Sequence, residues 1–512
     1  MSTVVEQQPP DEQNRGTIAK DAAQKILFSI VAAFHKHRYL IGLMVVYASV
    51  LSYLTIQRYN NYLSGYYDLG VFLNPLYNTT HGHFLLQYNV GREMSTLASH
   101  QMYILVPLAG LYYLYPSANL VLVLQSVTLA LGVIPLYLIT KEVVRIKSIP
   151  YLPYIIPTLY LLSATVQWTN AYDFHPETLS TTFILFTWYF LLKRKYALAV
   201  VGMLLTIACK EDMGFVIGAL NIAFLFVYKD RRSRLFVALL AVLSFAISIV
   251  EFTVLIPLFS SIHTSYYLIR YSYLGKSYRS IALNLLQHPA LLVHSLFLTP
   301  DRLDFLFKIF VQTGFVALFS PAILVAAPQF VIDLLAARGS PMHQIVYQYT
   351  TEINALLWIS TIYGLKNISW LLYKITRGKT ADADFYLKAI VWCVVAVNLL
   401  SSVWSGPVLS PRWFSAEFAA NPPQRVQLLN QMVAQIPSGV SVDASDSIAA
   451  HLSNREYIAI FPERCDADYI ISDPPAYIVN GARNYNKCMG YVSQHYTFLY
   501  RNGGYFIAKK KT

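Results

Sequence analysis

Three short stretches of this 512-residue chain hold ionisable groups where their neighbours are apolar or aromatic. The first, Tyr66-Tyr67-Asp68-Leu69-Gly70, is followed by His81-Gly82-His83, by Arg92-Glu93 and by His100. The second is Asp173-Phe174-His175-Pro176-Glu177, and the third is Lys210-Glu211-Asp212. Carboxylates near imidazoles suit proton transfer at a reacting hydroxyl. They are also competent ligands for manganese or magnesium. Each group has a plainer reading too. Asp68 suits the cap of a helix starting at Leu69, and Asp173 with Glu177 suits a solvated turn before a proline-started helix. Lys210 suits an ion pair with Glu211 or Asp212, and His100 and His175 taken singly suit structural hydrogen bonding. A later stretch sets Arg270, Lys276 and Arg279 among Tyr266, Tyr267, Tyr271, Tyr273 and Tyr278. Cations among aromatics can hold a lipid phosphate, or can snorkel from an interfacial tyrosine belt. No Walker A loop, dinucleotide-binding glycine fingerprint or serine nucleophile elbow is present, so carboxylate chemistry remains.

The elements that must position these groups are membrane helices. A chain that is 55% hydrophobic and 13% charged has too little polar surface to cover a water-soluble globule. Its formal charge of +12 comes largely from Lys and Arg beside apolar runs, which is a topology signal and gives no reason to expect nucleic acid. Residues 1–38 read as a cytosolic tail without a cleaved signal peptide, and the span from Tyr39 to about Ile56 then runs outward. Basic clusters at 141–147, 193–195, 229–234 and 374–379 fall on the inner side, which sets the parity of spans near 119–139, 151–167, 178–192, 196–209, 213–228, 235–257, 353–372 and 387–404. Residues 101–115 are too short and lack a basic flank, so they are expected to be re-entrant on the outer side. Two marginal stretches, 305–319 and 322–336, bring the expectation to about eleven transmembrane helices. The large outer loops fall at about 58–118 and 258–304, and the ionisable clusters gather at the outer ends of the helices. Such groups cost on the order of 3 kcal/mol each at a helix centre, so their clustering implies a shared polar cavity.

Residues 405–512 differ in character. Gln424 to Ile436 has helical spacing, Val440 to Ala444 and Ala467 to Asp473 read as strands, and Asn502-Gly503-Gly504 signals a hairpin. A small extracytoplasmic α/β domain is expected, where Cys465 and Cys488 are free to pair. The cell membrane, with a cytosolic N-terminus, is the expected location.

Taken in order, Tyr67-Asp68-Leu69-Gly70-Val71-Phe72, Ser99-His100, Tyr115-Pro116-Ser117, Asp173-Phe174-His175-Pro176-Glu177 and Lys210-Glu211-Asp212 resemble the membrane-protein family known as domain of unknown function 2079. The likeness runs from about residue 40 to the C-terminus and includes Tyr273-Leu274-Gly275 and Val440-Ser441-Val442-Asp443-Ala444-Ser445. That family is similar in layout to GT-C glycosyltransferases, which use polyprenyl-phosphate-linked sugars and keep an acidic residue in the first outer loop. The sequence departs from the pattern at Tyr347-Gln348-Tyr349, where a histidine-tyrosine pair is expected.

The resemblance implies that Asp68 is the catalytic base for an acceptor hydroxyl attacking a lipid-linked sugar. It further implies that Asp173, His175, Glu177 and His100 position the acceptor or hold a manganese or magnesium ion, and that Arg270, Lys276, Arg279, Lys210 and Arg92 meet the lipid phosphate. Glu211 and Asp212 would support the polar network. The acceptor would be a glycan, a lipid or a protein. The competing reading is a transporter or flippase of lipid-linked saccharides. The crowding of polar groups at one end and the lack of an inverted repeat favour the enzyme.

Overall fold

The computed structural model describes residues 37–89, 92–144, 149–261, 263, 265–297, 299–474 and 482–511. Most of the expected N-terminal tail, and Arg145 and Lys147 of one basic cluster, lie outside the described residues. Among the described residues four helices are long and apolar enough to cross a bilayer, namely His37–Asn60, Ala118–Val143, Arg231–Phe259 and Thr380–Ser405. Shorter apolar helices accompany them: Leu105–Leu114, Leu152–Leu162, Tyr196–Ile207, Met213–Val227 and Pro321–Leu334. Thr351–Ile375 is a further helix whose first three turns are wholly buried. Four of the expected eleven spans therefore reach crossing length as single apolar helices. The stretch expected at 151–167 is broken, because Ser163 is extended and turns its hydroxyl back to the Tyr160 carbonyl, separating Leu152–Leu162 from Ala164–Ala171.

The helices face outward with their apolar residues. On Arg231–Phe259, Leu235, Leu239, Val242 and Leu243 are more than half exposed, while Ser244 and Ser248 are buried. A water-soluble bundle reverses that pattern; hydrocarbon suits it. Because lipid gives apolar helices little reason to associate, close approach at small residues carries the packing. A Cβ on Gly214 would collide with Ser248 and with the Ser244 carbonyl, and one on Gly202 would collide with Thr187. Buried polar pairs add direction: Ser126 donates to the Asn170 side chain (2.9 Å), and Asn170 donates to the Tyr47 hydroxyl (3.2 Å).

The segment expected to be re-entrant holds a ten-residue helix, Leu105–Leu114, only about 15 Å long. Its entry is fixed by the Ile104 amide, which donates to the Ala208 carbonyl at 2.8 Å. Ser117 then caps Ala118–Leu131 by accepting from the Asn119 amide. Before it, the first loop folds as a π-helical turn, Tyr66–Gly70, a helix, Val71–Thr80, and an antiparallel hairpin of β1 (Leu86–Asn89) and β2 (Arg92–Ser95).

The C-terminal part is the expected α/β unit. Its strands β3 (Val442–Ala444), β4 (Ile458–Ile460), β5 (Tyr469–Ser472), β6 (Tyr496–Asn502) and β7 (Tyr505–Lys510) form one sheet in the order β4-β3-β5-β7-β6. β3 is parallel to both its neighbours, and β7 is antiparallel to β5 and β6. Gly503 and Gly504, at φ of +55° and +88°, supply the hairpin turn. Cys465 and Cys488 form a disulfide. This unit does not stand alone: Leu429, Val442, Ile448, Leu452 and Ile471 share one apolar core with Tyr66, Leu69, Leu76, Leu105 and Tyr112 of the first loop and the short helix.

Candidate functional site

The π-helical turn brings Asp68 to the edge of a polar cavity of about 130 Å³. Asp446 of the C-terminal unit holds that turn by accepting from the amides of Tyr66 (2.8 Å) and Tyr67 (3.2 Å). The contact is close enough that a Cβ on Gly65 would collide with the Asp446 carboxylate. Asp68 is half-buried and its carboxyl is pushed above the usual aspartate range, chiefly by desolvation, against the pull of His175 and of the Tyr172 hydroxyl. His175 lies beside it, with Nε2 at 3.9 Å from Oδ1 of Asp68. The Asp173 carbonyl, 3.2 Å from Nδ1, can only accept, so Nδ1 carries the hydrogen and Nε2 is presented to the carboxylate. In the neutral ring Nε2 and Oδ1 are then both acceptors, 3.9 Å apart.

The loop carrying His175 is fixed from below by Gln125. Its amide nitrogen donates to the Asn170 carbonyl (2.9 Å), and its oxygen accepts from the His175 amide (3.2 Å) and the Thr178 hydroxyl (2.9 Å). Asp173 turns away from the cavity: Arg58 (2.5 Å) and Ser64 (2.5 Å) donate to its Oδ1, tying this loop to the end of the first helix. Glu177 faces Lys210 at 3.9 Å, and Lys210 pairs with Asp212 at 3.1 Å. Burial opposes charge on Lys210, but Asp212 and Glu177 outweigh it and hold the amine well above the ordinary lysine value. Glu211 serves the other side of the turn, accepting from His100 Nδ1 (2.8 Å) and from the Gln101 amide (3.1 Å). His100 stacks on Tyr267, 4.4 Å between centroids. Arg270 lies over the same tyrosine at 4.5 Å and donates to the Tyr349 hydroxyl at 3.3 Å.

The structure thus gathers Asp68, His175, Glu177, Lys210, His100 and Arg270 around one cavity. Asp173 stands behind it, and Glu211 and Asp212 line the neighbouring cavity. Lys276 and Arg279 are exposed and line neither, and the side chain of Arg92 lies outside the described residues. The divalent-cation reading of Asp68, Asp173, His175 and Glu177 does not fit the donors as placed. Asp173 is spent on Arg58 and Glu177 faces Lys210, so among the described residues no three His, Cys, Asp or Glu groups converge on one point.

Sequence reasoning missed Tyr172, Gln125 and Arg58, each distant in the chain from the group it serves. Gln348 and Tyr349 line the cavity at the place where the histidine-tyrosine pattern was expected, so the departure at 347–349 was the available signal.

A second cavity, about 340 Å³ and predominantly apolar, adjoins the first. Phe215, Ile249, Phe252, Leu268, Val331 and Leu335 wall it, and His100, Lys210, Tyr267 and Arg270 belong to both. The polar cavity and the apolar groove thus have Lys210 and Arg270 in common, and Ile249, Phe252 and Thr253 of the helix Arg231–Phe259 lie on the groove's wall.

Fold and site together define an integral membrane protein with an ionisable site at one end of its helices. The chain belongs to the family described as "Predicted membrane protein (DUF2079)", whose model matches residues 58–511. In the comparison with curated proteins none matches. Among solved structures it is similar to the Archaeoglobus fulgidus oligosaccharyltransferase tethered to an acceptor peptide with the NVT sequon, at 13% identity and a TM-score of 0.44, over 94% of this chain and 75% of that one. A complex of that protein with Zn and sulfate gives 13% identity and 0.45, over 91% and 73%. A likeness this distant assigns no residue a role.

Proposed function

We propose that this protein is a membrane glycosyltransferase that moves a sugar from a polyprenyl-phosphate-linked donor to an acceptor hydroxyl or amide on the outer face of the cell membrane. The observation that carries the reading is that a polar cavity and an apolar groove lie side by side with Lys210 and Arg270 in the lining of both. A lipid-linked sugar has that same division: an apolar tail, a phosphate, a polar sugar. The tail fits the groove, the phosphate meets the cations, and the sugar reaches Asp68.

In the reaction the acceptor oxygen or nitrogen attacks the anomeric carbon as the bond to the phosphate oxygen breaks. The phosphate leaves with the electron pair, and the acceptor proton passes to Asp68. Desolvation makes Asp68 a stronger base than a free aspartate. His175 lines the cavity beside Asp68, and Lys210 and Arg270 stabilise the charge that builds on the leaving phosphate. With about eleven crossings, counting the shorter helices, the first loop and the C-terminal unit share the outer side. The Cys465–Cys488 disulfide suits that oxidising compartment.

The test is transfer of radiolabelled sugar from a panel of polyprenyl-linked donors in membranes containing the native protein or Asp68→Asn. Transfer lost by about a thousandfold in a folded Asp68→Asn protein supports the reading. Equal transfer in both removes Asp68 as base. No transfer by the native protein, with movement of the intact donor across sealed vesicles, identifies a transporter instead.

A further inference from the structure

We infer that a separate cavity, of about 410 Å³, holds the head group of an anionic membrane phospholipid, with Arg412, Lys308 and Ser410 taking its phosphate. The cavity lies at the end of the crossing helix Thr380–Ser405 that is opposite the basic turn of Arg377 and Lys379. Two tryptophans line it, Trp404 and Trp413. Trp413 meets Trp168 edge-on at 5.5 Å, and Trp168 Nε1 donates to the Ser405 carbonyl at 2.6 Å, which ties this wall to the helix end. Arg412 lies over the Trp413 ring at 5.3 Å, and Lys308 over the Trp404 ring at 5.9 Å. Lys308 is matched in part, because it donates to Asp304 at 2.6 Å. Among the described residues no carboxylate is within ion-pair reach of Arg412, and Glu417 on the same short helix faces Arg58 instead. Lys308, Arg412 and Asp304 together leave one net positive charge, the complement of a phosphodiester.

The hydrogen-bonding groups point to the same occupant. Ser410 stands at the head of the helix Pro411–Phe418 and is only 4% exposed, yet its hydroxyl caps nothing. Among the described residues that hydroxyl has no hydrogen-bond partner. Pro411 has no N–H, so the first-turn amides of Arg412 and Trp413 are left as donors at an uncapped helix head. Hydroxyl, amides and guanidinium can all donate, and leaving them unmet costs free energy that an incoming oxygen anion recovers. A lipid is favoured over a soluble anion by what lies alongside. Leu400, Val403 and Trp404 are exposed on the last turns of the crossing helix, and the exposed ring of Phe307 meets Trp404 at 6.5 Å. Acyl chains descending from a head group at this depth run along that apolar strip, with the tryptophans at the interface.

The experiment is a displacement assay on the full-length protein in an uncharged detergent. Phosphatidylglycerol labelled with dansyl on an acyl chain is the reporter, read by energy transfer from tryptophan. The competitors are unlabelled phosphatidylglycerol, phosphatidylcholine of the same chain length, and glycerol phosphate without acyl chains. Phosphatidylglycerol should displace the reporter at a concentration at least about fivefold below that of phosphatidylcholine. Arg412→Gln should remove most of that preference, while Arg412→Lys, which keeps the charge, and Arg501→Gln, in the C-terminal sheet, should retain it. Glycerol phosphate should displace poorly, because it leaves the apolar strip uncovered. Equal displacement by the two lipids, or full preference in Arg412→Gln, would overturn the inference. Displacement by glycerol phosphate as effective as that by phosphatidylglycerol would also overturn it, by identifying a soluble phosphate as the occupant.

Discussion

At the scale of residues, the candidate site sets His175 and Tyr172 beside the carboxyl of Asp68. Burial raises the affinity of Asp68 for a proton, and His175 and Tyr172 pull it back down. A base works when deprotonated, so kcat/KM should fall as pH drops through a value above that of an ordinary aspartate. Tyr172→Phe removes a hydrogen bond that favours the charged form. The acid limb of kcat/KM should then move to higher pH by about one pH unit, with little change near the optimum. A limb that stays in place would separate Tyr172 from the base.

At the scale of elements, the turn Tyr66–Gly70 is not a self-sufficient structure. Its amides are held by Asp446 from almost four hundred positions later in the chain, and its apolar side is packed into the core of the C-terminal unit. That turn therefore aims Asp68 only when the C-terminal unit is docked. Gly65→Ala places a methyl group against the Asp446 carboxylate and displaces the turn. Turnover should fall by about 10- to 100-fold, as expected when a reacting group moves by about 1 Å. Binding of polyprenyl monophosphate should be unchanged, because Arg270 and the groove are on other elements. A variant with native turnover would show that the contact with Asp446 does not position the base.

At the scale of the whole molecule, the site works only if the first loop and the C-terminal unit occupy one compartment and the basic turns the other. Single cysteines at His83, Gln494 and Arg232, all exposed, report this in a Cys393→Ser background. A membrane-impermeant thiol reagent added outside intact cells should label the first two and spare the third. Labelling of His83→Cys and Gln494→Cys from opposite sides would dismantle the site. So would labelling of all three from within.

The sequence by itself determined the solvent, because no arrangement of a chain so poor in charge can face water over most of its surface. It also determined the candidate motifs, since carboxylates and lysines between apolar runs stand out against their cost in lipid. The α/β unit was legible from strand alternation and from Asn502-Gly503-Gly504, which are local signals. Only the tertiary structure decided which charges are free to act. Asp173 and Asp68 look alike in sequence, yet Arg58 and Ser64 take up Asp173 while Asp68 is left at the cavity edge. Lys210 and Arg270 are both cations, yet among the described residues only Lys210 of the two has carboxylates within ion-pair reach. Those differences arise from partners more than a hundred residues away for Asp173 and from a turn between two helices for Lys210, and spacing along a chain carries no record of such distances in space.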